Sequence, residues 1–263
     1  MAKTVLITGG SSGIGLAAAQ AFGEAGWRVY TLSRNPAKTP SVLHLRADVT
    51  DEAAVRSAIE TVVSREGRLD VLVNCAGFGI SGAAEFTDAA DARRQFDVNF
   101  FGVVNVCKAA LPFLRAQGGG RIINVSSVAA PVPIPFQSFY SASKAAINSY
   151  SCALANEVRP FGISVTAVQP GDIRTGFTAA RKKTVTGDDV YGGRISRSVS
   201  RMERDEEGGM EPSRVGSFLR AIACKRRVKP LYTVGFSYRC VCLLCKILPC
   251  GVLNRIVFWL YAK

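Results

Sequence analysis

The chain has 263 residues, with 33 Lys and Arg against 20 Asp and Glu and a formal net charge of +13. That length suits one α/β domain with a sizeable core. A single histidine excludes histidine-based triads and zinc–histidine clusters. Eight cysteines behind no charged-then-apolar leader fit a reducing, cytoplasmic setting rather than a disulfide framework.

Residues 4–8 (TVLIT) read as a short strand, followed by the turn Thr8-Gly9-Gly10-Ser11-Ser12-Gly13-Ile14-Gly15 and an alanine-rich helix closed by Gly26. Glycines let the backbone turn tightly and approach a ligand closely, and the helix N-terminus offers amides to a pyrophosphate. A second strand, RVYTLSR, ends in Ser33 and Arg34 where a dinucleotide fold usually carries an acid for the ribose hydroxyl. A guanidinium there suits a 2′-phosphate, so NADP is expected over NAD. The third strand ends at Asp48 and Val49, positions that would flank the adenine, and a helix is expected from Asp51 to Arg65. His44 lies in that third strand and reads as a strand-surface residue.

The run LDVLVNCAG (69–77) is nearly continuously apolar, the mark of a parallel strand buried on both faces. Its end, with Asn74, Ala76 and Gly77, belongs at the carboxyl edge beside the cofactor. One long helix is predicted from Asp91 to Arg115, with Asn99, a poor helix former, in its middle. A glycine stop and the strand RIINVSS then lead to Ser127.

In the helical segment that follows, Tyr140 and Lys144 are four residues apart and share a face. An ammonium beside a phenol favours the phenolate, pulling a pKa that starts near ~10 toward neutrality, where the group can both give and take a proton. Ser127 adds a hydroxyl for the same reacting oxygen. A sixth strand ends in Pro170-Gly171, and the polar, glycine-punctuated stretch 172–212 reads as a lid over the substrate. A helix and a short strand complete a domain of residues 1–235, and the apolar extension 236–263 is expected to pack on it.

In their order, TGGSSGIG (8–15), NCAG (74–77), Asn99, Ser127, YSASK (140–144) and PGDIRT (170–175) resemble the short-chain dehydrogenase/reductase family, up to about residue 235. The resemblance implies a single-domain, doubly wound parallel sheet with helices on both faces, a Rossmann-type α/β fold. It implies Tyr140 as acid/base and Lys144 as the cation that lowers its pKa and binds the nicotinamide ribose. Ser127 would orient the substrate oxygen, and Asn99 would hold a water linking Lys144 to solvent. Pro170, Gly171, Ile173 and Thr175 would line the cofactor with the glycine turn. Cys75 departs from the family's usual second Asn. No metal is implied.

The expected function is hydride transfer between NADP(H) and a hydrophobic ketone or secondary alcohol, such as a hydroxysteroid or another lipid-like substrate. The alternatives are a catalytically idle NADP-binding sensor and a membrane-surface, lipid-associated protein. No nucleic-acid partner is expected, because the basic residues of 174–229 alternate with acids and lack interleaved aromatics. Family habit implies a homodimer or homotetramer through the helices near 91–115 and 140–158. The tail, with a hinge at Pro249-Cys250-Gly251, covers the substrate opening or a partner subunit, or else makes peripheral contact with a membrane. Its cysteines read as apolar packing.

Overall fold

The structure is a computed structural model that describes residues 2–36, 39 and 42–263. Seven parallel strands form one sheet in the order β3-β2-β1-β4-β6-β7-β9. They are β1 (Thr4–Thr8), β2 (Arg28–Ser33), β3 (Leu43–Arg46), β4 (Val71–Asn74), β6 (Gly120–Val125), β7 (Ile163–Gln169) and β9 (Leu231–Thr233). A separate pair joins β5 (Ile80–Ser81) to β8 (Lys182–Lys183).

The continuous apolar strands are apolar because both faces are covered. In β1, Leu6 joins one core with Val55 and Ile59 of α2 (Glu52–Glu66), Val103 and Val106 of α4 (Gly102–Ala116), and Ile147 of α5 (Ser138–Glu157). Its neighbours Val5 and Ile7 join a second core with Ala18 and Phe22 of α1 (Gly13–Glu24) and with Val215 and Leu219 of α8 (Pro212–Ala223). Successive side chains of a strand point to opposite faces, so one strand feeds both layers. The Asp51 side chain caps α2 by accepting from the amides of Ala53 and Ala54 at 3.0 Å each, and Gly67, at φ +71°, stops it.

The chain winds outward from β1 to β3 and then returns to β4 on the other side of β1. That reversal opens a crevice at the carboxyl ends of β1 and β4. Thr8 and Asn74 are paired in register there, as are Asn74 and Asn124.

The long helix expected near 91–115 is interrupted. It runs as α3 (Ala89–Phe96), a π-helical turn (Asp97–Phe101) and α4. The stretch 172–212, whose composition suggested a polar lid, contains the short α6 (Phe177–Ala180) and a regular helix, α7 (Arg194–Glu207). Ile195, Val199 and Met202 recur on one face of α7 and are buried in a third cluster with Ala83 and Phe136. The tail forms α9 (Phe236–Ile247) and α10 (Cys250–Tyr261), with Pro249 between them as expected.

Candidate active site

The turn after β1 needs its glycines for space. A Cβ on Gly9, which sits at φ +67°, would lie 2.9 Å from the Ala76 backbone, and one on Gly15 would lie 2.3 Å from the Gly9 carbonyl oxygen. The Thr8 hydroxyl accepts from the amides of Cys75 and Ala76, both at 3.1 Å, and so ties the two lips of the crevice together. Helix α1 begins at Ser12 without a side-chain cap and without an acid in its first turn. Its amides remain available to an anion. Thr175 closes the turn from the far side, with its side chain 3.6 Å from where a Gly13 Cβ would be. These features fit a dinucleotide pyrophosphate.

At the end of β2 a cavity of about 310 Å³ is lined by Arg34, Asp48, Thr50, Arg94, Asp97 and Phe101, among others. Arg34 is largely exposed and its guanidinium stands 4.0 Å from the Asp48 carboxylate. Arg94 is a second guanidinium in the same cavity that the sequence did not single out. Ser33 turns its hydroxyl to the Asn35 carbonyl at 2.7 Å, and Val49 is packed into the core. The Asn74 side chain is directed inward, donating to Asn124 Oδ1 at 2.8 Å, so the crevice meets that residue through its backbone. A larger concavity of about 800 Å³ opens among Lys3, Asp70, Arg121 and Arg227. It lies at the amino edge of the sheet, a strand length from Tyr140, and is not the reacting centre.

Helix α5 brings Tyr140 and Lys144 together, with Lys144 Nζ 5.7 Å from the centre of the Tyr140 ring. Lys144 is buried and donates to the Val125 carbonyl at 3.0 Å. Gly77 leaves room beside it, since a Cβ there would stand 3.1 Å from Asn99 Oδ1 and 3.6 Å from Lys144 Nζ. Asn99, in the π turn, is fully buried. It accepts from the Phe78 amide at 2.9 Å and donates to the Phe78 carbonyl at 3.0 Å and to Ser143 Oγ at 3.1 Å. The widened turn thus aims an amide that a regular helix would bond poorly.

The loop carrying Ser127 is fastened to β7 and its end by the Ser126 amide on the Val168 carbonyl and the Val128 amide on the Pro170 carbonyl. Ser126 Oγ donates to the Lys144 carbonyl at 2.9 Å. The rotation of α5 is pinned from below, because Asn124 Nδ2 donates to Ser151 Oγ at 2.9 Å and Ser151 donates to the Ile147 carbonyl at 2.7 Å. Phe177 covers Tyr140, with ring centres 5.7 Å apart. Beyond it, buried Arg181 is paired with Glu206.

The proton affinities correct one expectation. Burial pushes the Tyr140 phenol up to about 12 rather than toward neutrality, against a smaller lowering by the Ser127 side chain. Burial also holds Lys144 down, to about 8. Desolvation of the phenolate dominates, and what lowering there is comes from Ser127 and Arg181 rather than from the Lys144 ammonium. The phenol therefore keeps its proton at neutral pH.

A parallel sheet with a glycine turn at its switch point, and a serine, tyrosine and lysine converging on one end of the crevice, defines an α/β oxidoreductase that uses a nicotinamide dinucleotide. The chain belongs to the short-chain dehydrogenase family, whose model matches residues 3–186. It is 44% identical over 244 residues to a 3-ketodihydrosphingosine reductase of Bacteroides thetaiotaomicron, covering 89% of this chain and 91% of that one. Among solved structures it is similar to a short-chain dehydrogenase from Streptomyces avermitilis, with a TM-score of 0.81 and 30% identity over 97% and 93% of the two chains. It also matches ElxO with NADP bound, with a TM-score of 0.77 and 26% identity over 91% and 100% of the two chains. The cofactor is of the NAD(P) class.

Proposed function

We propose that this protein is an NADPH-dependent reductase of a long-chain, lipid-like ketone, with a 3-keto sphingoid base as the foremost substrate. The observation that carries the chemistry is Tyr140, a neutral phenol enclosed under Phe177 and flanked by Ser127 and Lys144. A nicotinamide bound in the crevice would supply the hydride to the carbonyl carbon. Tyr140 donates its proton to the carbonyl oxygen, and the Ser127 hydroxyl holds that oxygen in line. Lys144, held at about 8, is largely protonated at neutral pH, so it stabilises the phenolate that donation leaves behind. Asn99, beside Gly77 and Lys144 and fully bonded to Phe78 and Ser143, braces the loop next to the lysine.

Three features support the finer reading. The reductase from Bacteroides thetaiotaomicron acts, by its name, on a ketone of a long-chain base. Arg34 and Arg94 share the cavity at the end of β2, where a 2′-phosphate would bring two negative charges. Near the Tyr140 hydroxyl the charge of Glu206 is offset by its partner Arg181, and Asp172 adds one further negative charge, which favours a substrate with an amine beside its carbonyl over an acidic one.

The test is a panel of 3-keto long-chain amines, steroid ketones and small aldehydes, followed by nicotinamide absorbance with NADPH and with NADH. The long-chain amino ketone with NADPH is expected to be turned over fastest, and Arg34→Asp is expected to cut the NADPH preference about tenfold or more by removing one charge-assisted contact. Turnover of no ketone in the panel contradicts the enzymatic reading, and an unchanged preference in the variant contradicts the role of Arg34.

A further inference from the structure

The tail leaves its apolar surface outward. Among the described residues, most of the large hydrophobic side chains that stay exposed belong to α9 and α10, including Leu243 (58%), Leu244 (51%), Ile247 (69%), Ile256 (44%), Trp259 (57%) and Leu260 (48%). They recur with helical spacing, Leu243, Leu244 and Ile247 on α9 and Ile256, Trp259 and Leu260 on α10, so each helix carries a continuous apolar stripe turned to solvent. Scattered exposed leucines are ordinary, but a contiguous patch of this kind marks a surface with a partner.

Charge identifies the partner. After Glu211 the sequence contains no Asp or Glu, and the tail carries Arg239, Lys246, Arg255 and Lys263. A second copy of the same tail would bring like charges together across an apolar contact, whereas an anionic lipid surface complements them. Each helix has 12 residues, about 18 Å of helix against a hydrocarbon core of roughly 30 Å, so neither reaches across. Trp259, exposed near the end of α10, is a residue type that settles at a lipid–water boundary.

Position makes the surface useful. The Tyr238 hydroxyl of α9 donates to Asp172 Oδ2 at 2.6 Å and accepts from the Asp172 amide at 3.0 Å, and its ring covers Gly171 in the loop beyond β7. Tyr261 of α10 donates to Asp205 on α7 at 3.2 Å, and Ala262 joins the cluster of Phe136, Ile195 and Met202. Both helices therefore rest on the segments that wall in Tyr140.

We infer that α9 and α10 form an interfacial platform that seats the protein on an anionic lipid surface, with the substrate opening facing or adjoining the bilayer. The docking stands apart from the substrate proposed above, because it rests on the tail alone.

The test uses the full chain without cofactor, sedimented with vesicles of phosphatidylcholine and with vesicles containing about a third phosphatidylglycerol. Binding to the anionic vesicles is expected to be at least about tenfold tighter and to weaken with added salt. Leu244→Asp with Leu260→Asp is expected to reduce binding about a hundredfold by removing two apolar anchors. Lys246→Glu with Arg255→Glu is expected to reduce binding to anionic vesicles about tenfold and to leave phosphatidylcholine binding unchanged. Turnover of a small soluble ketone is expected to stay at the wild-type value in both double variants. Absence of vesicle binding by the wild-type chain overturns the inference. So does a lipid-free oligomer that the leucine variant turns into monomers, which would assign the face to a second copy.

Discussion

The part of the chain that ends at β7 and the part that follows it are built on different terms. Residues 1–170 carry 15 basic and 12 acidic side chains and fill two dense cores with fully buried Leu6, Leu72, Ile122 and Phe22. Residues 171–263 carry 18 and 8, and much of what holds them is polar, with Arg181 on Glu206, Lys183 on Glu203, Lys182 on Asp91 and Tyr238 on Asp172. The first part binds a cofactor whose shape is fixed, and it is held by burial that changes little with conditions. The second part joins the second core through α8 but is otherwise held largely by ion pairs and hydrogen bonds, several of them partly exposed. A fold that must keep one ligand in a set place and admit another gains from dividing the tasks this way.

The largest effect should come from the rigid side. Tyr140→Phe keeps the ring against Phe177 and removes only the proton donor, so kcat is expected to fall about 10²- to 10⁴-fold with cofactor affinity retained. Near-normal turnover would show that the proton comes from elsewhere. Ile195→Ala opens a void beneath α7 and separates the two parts. The cost is expected to be about 2–5 kcal/mol, appearing as faster hydrogen exchange across 194–207 while α1 and β1 keep their protection. Uniform loss of protection would mean that the two parts unfold as one.

A smaller effect tests the enclosure of the lysine. Lys144 titrates near 8 in the native state and near 10.5 when exposed, so between those values the unfolded chain holds the extra proton and stability rises with pH. Lys144→Met removes that contribution, and the wild-type protein should gain about 2 kcal/mol on the variant between pH 8 and pH 10 in urea melts. Cys107, pushed up to about 12 by burial, slopes the other way above pH 9 but does so in both proteins. A flat difference would place Lys144 in water.

The sequence conveyed the first part well because its signals are local. TVLIT, the glycine turn and the alanine-rich helix each state their own structure, and the buried parallel strands show as unbroken apolar runs. Tyr140 and Lys144 were legible for the same reason, since four residues on a helix is a local distance. What escaped depends on contacts distant in sequence. The π turn at Asn99 is held open by Phe78, which is 21 residues away. Helix α7 has only Ile195, Val199 and Met202 as apolar anchors in an arginine- and serine-rich text, and their partners Ala83 and Phe136 lie far upstream. Phe177 and Arg181 gain their roles only where the chain folds back over Tyr140. The expected pKa failed because spacing reports that a cation is near, but not how much water has been removed from both groups.

The amide and hydroxyl line from Asn74 through Asn124 to Ser151 runs under the reacting groups, in a layer that is otherwise apolar apart from the Cys107 thiol. A one-residue slip of α5 along the sheet would strand these groups in oil, so the helix has a single seat. The phenol is thereby indexed to the strand ends like a key to its wards, and drift in the core translates into lost occupancy of the working arrangement and not into a gradual softening of it.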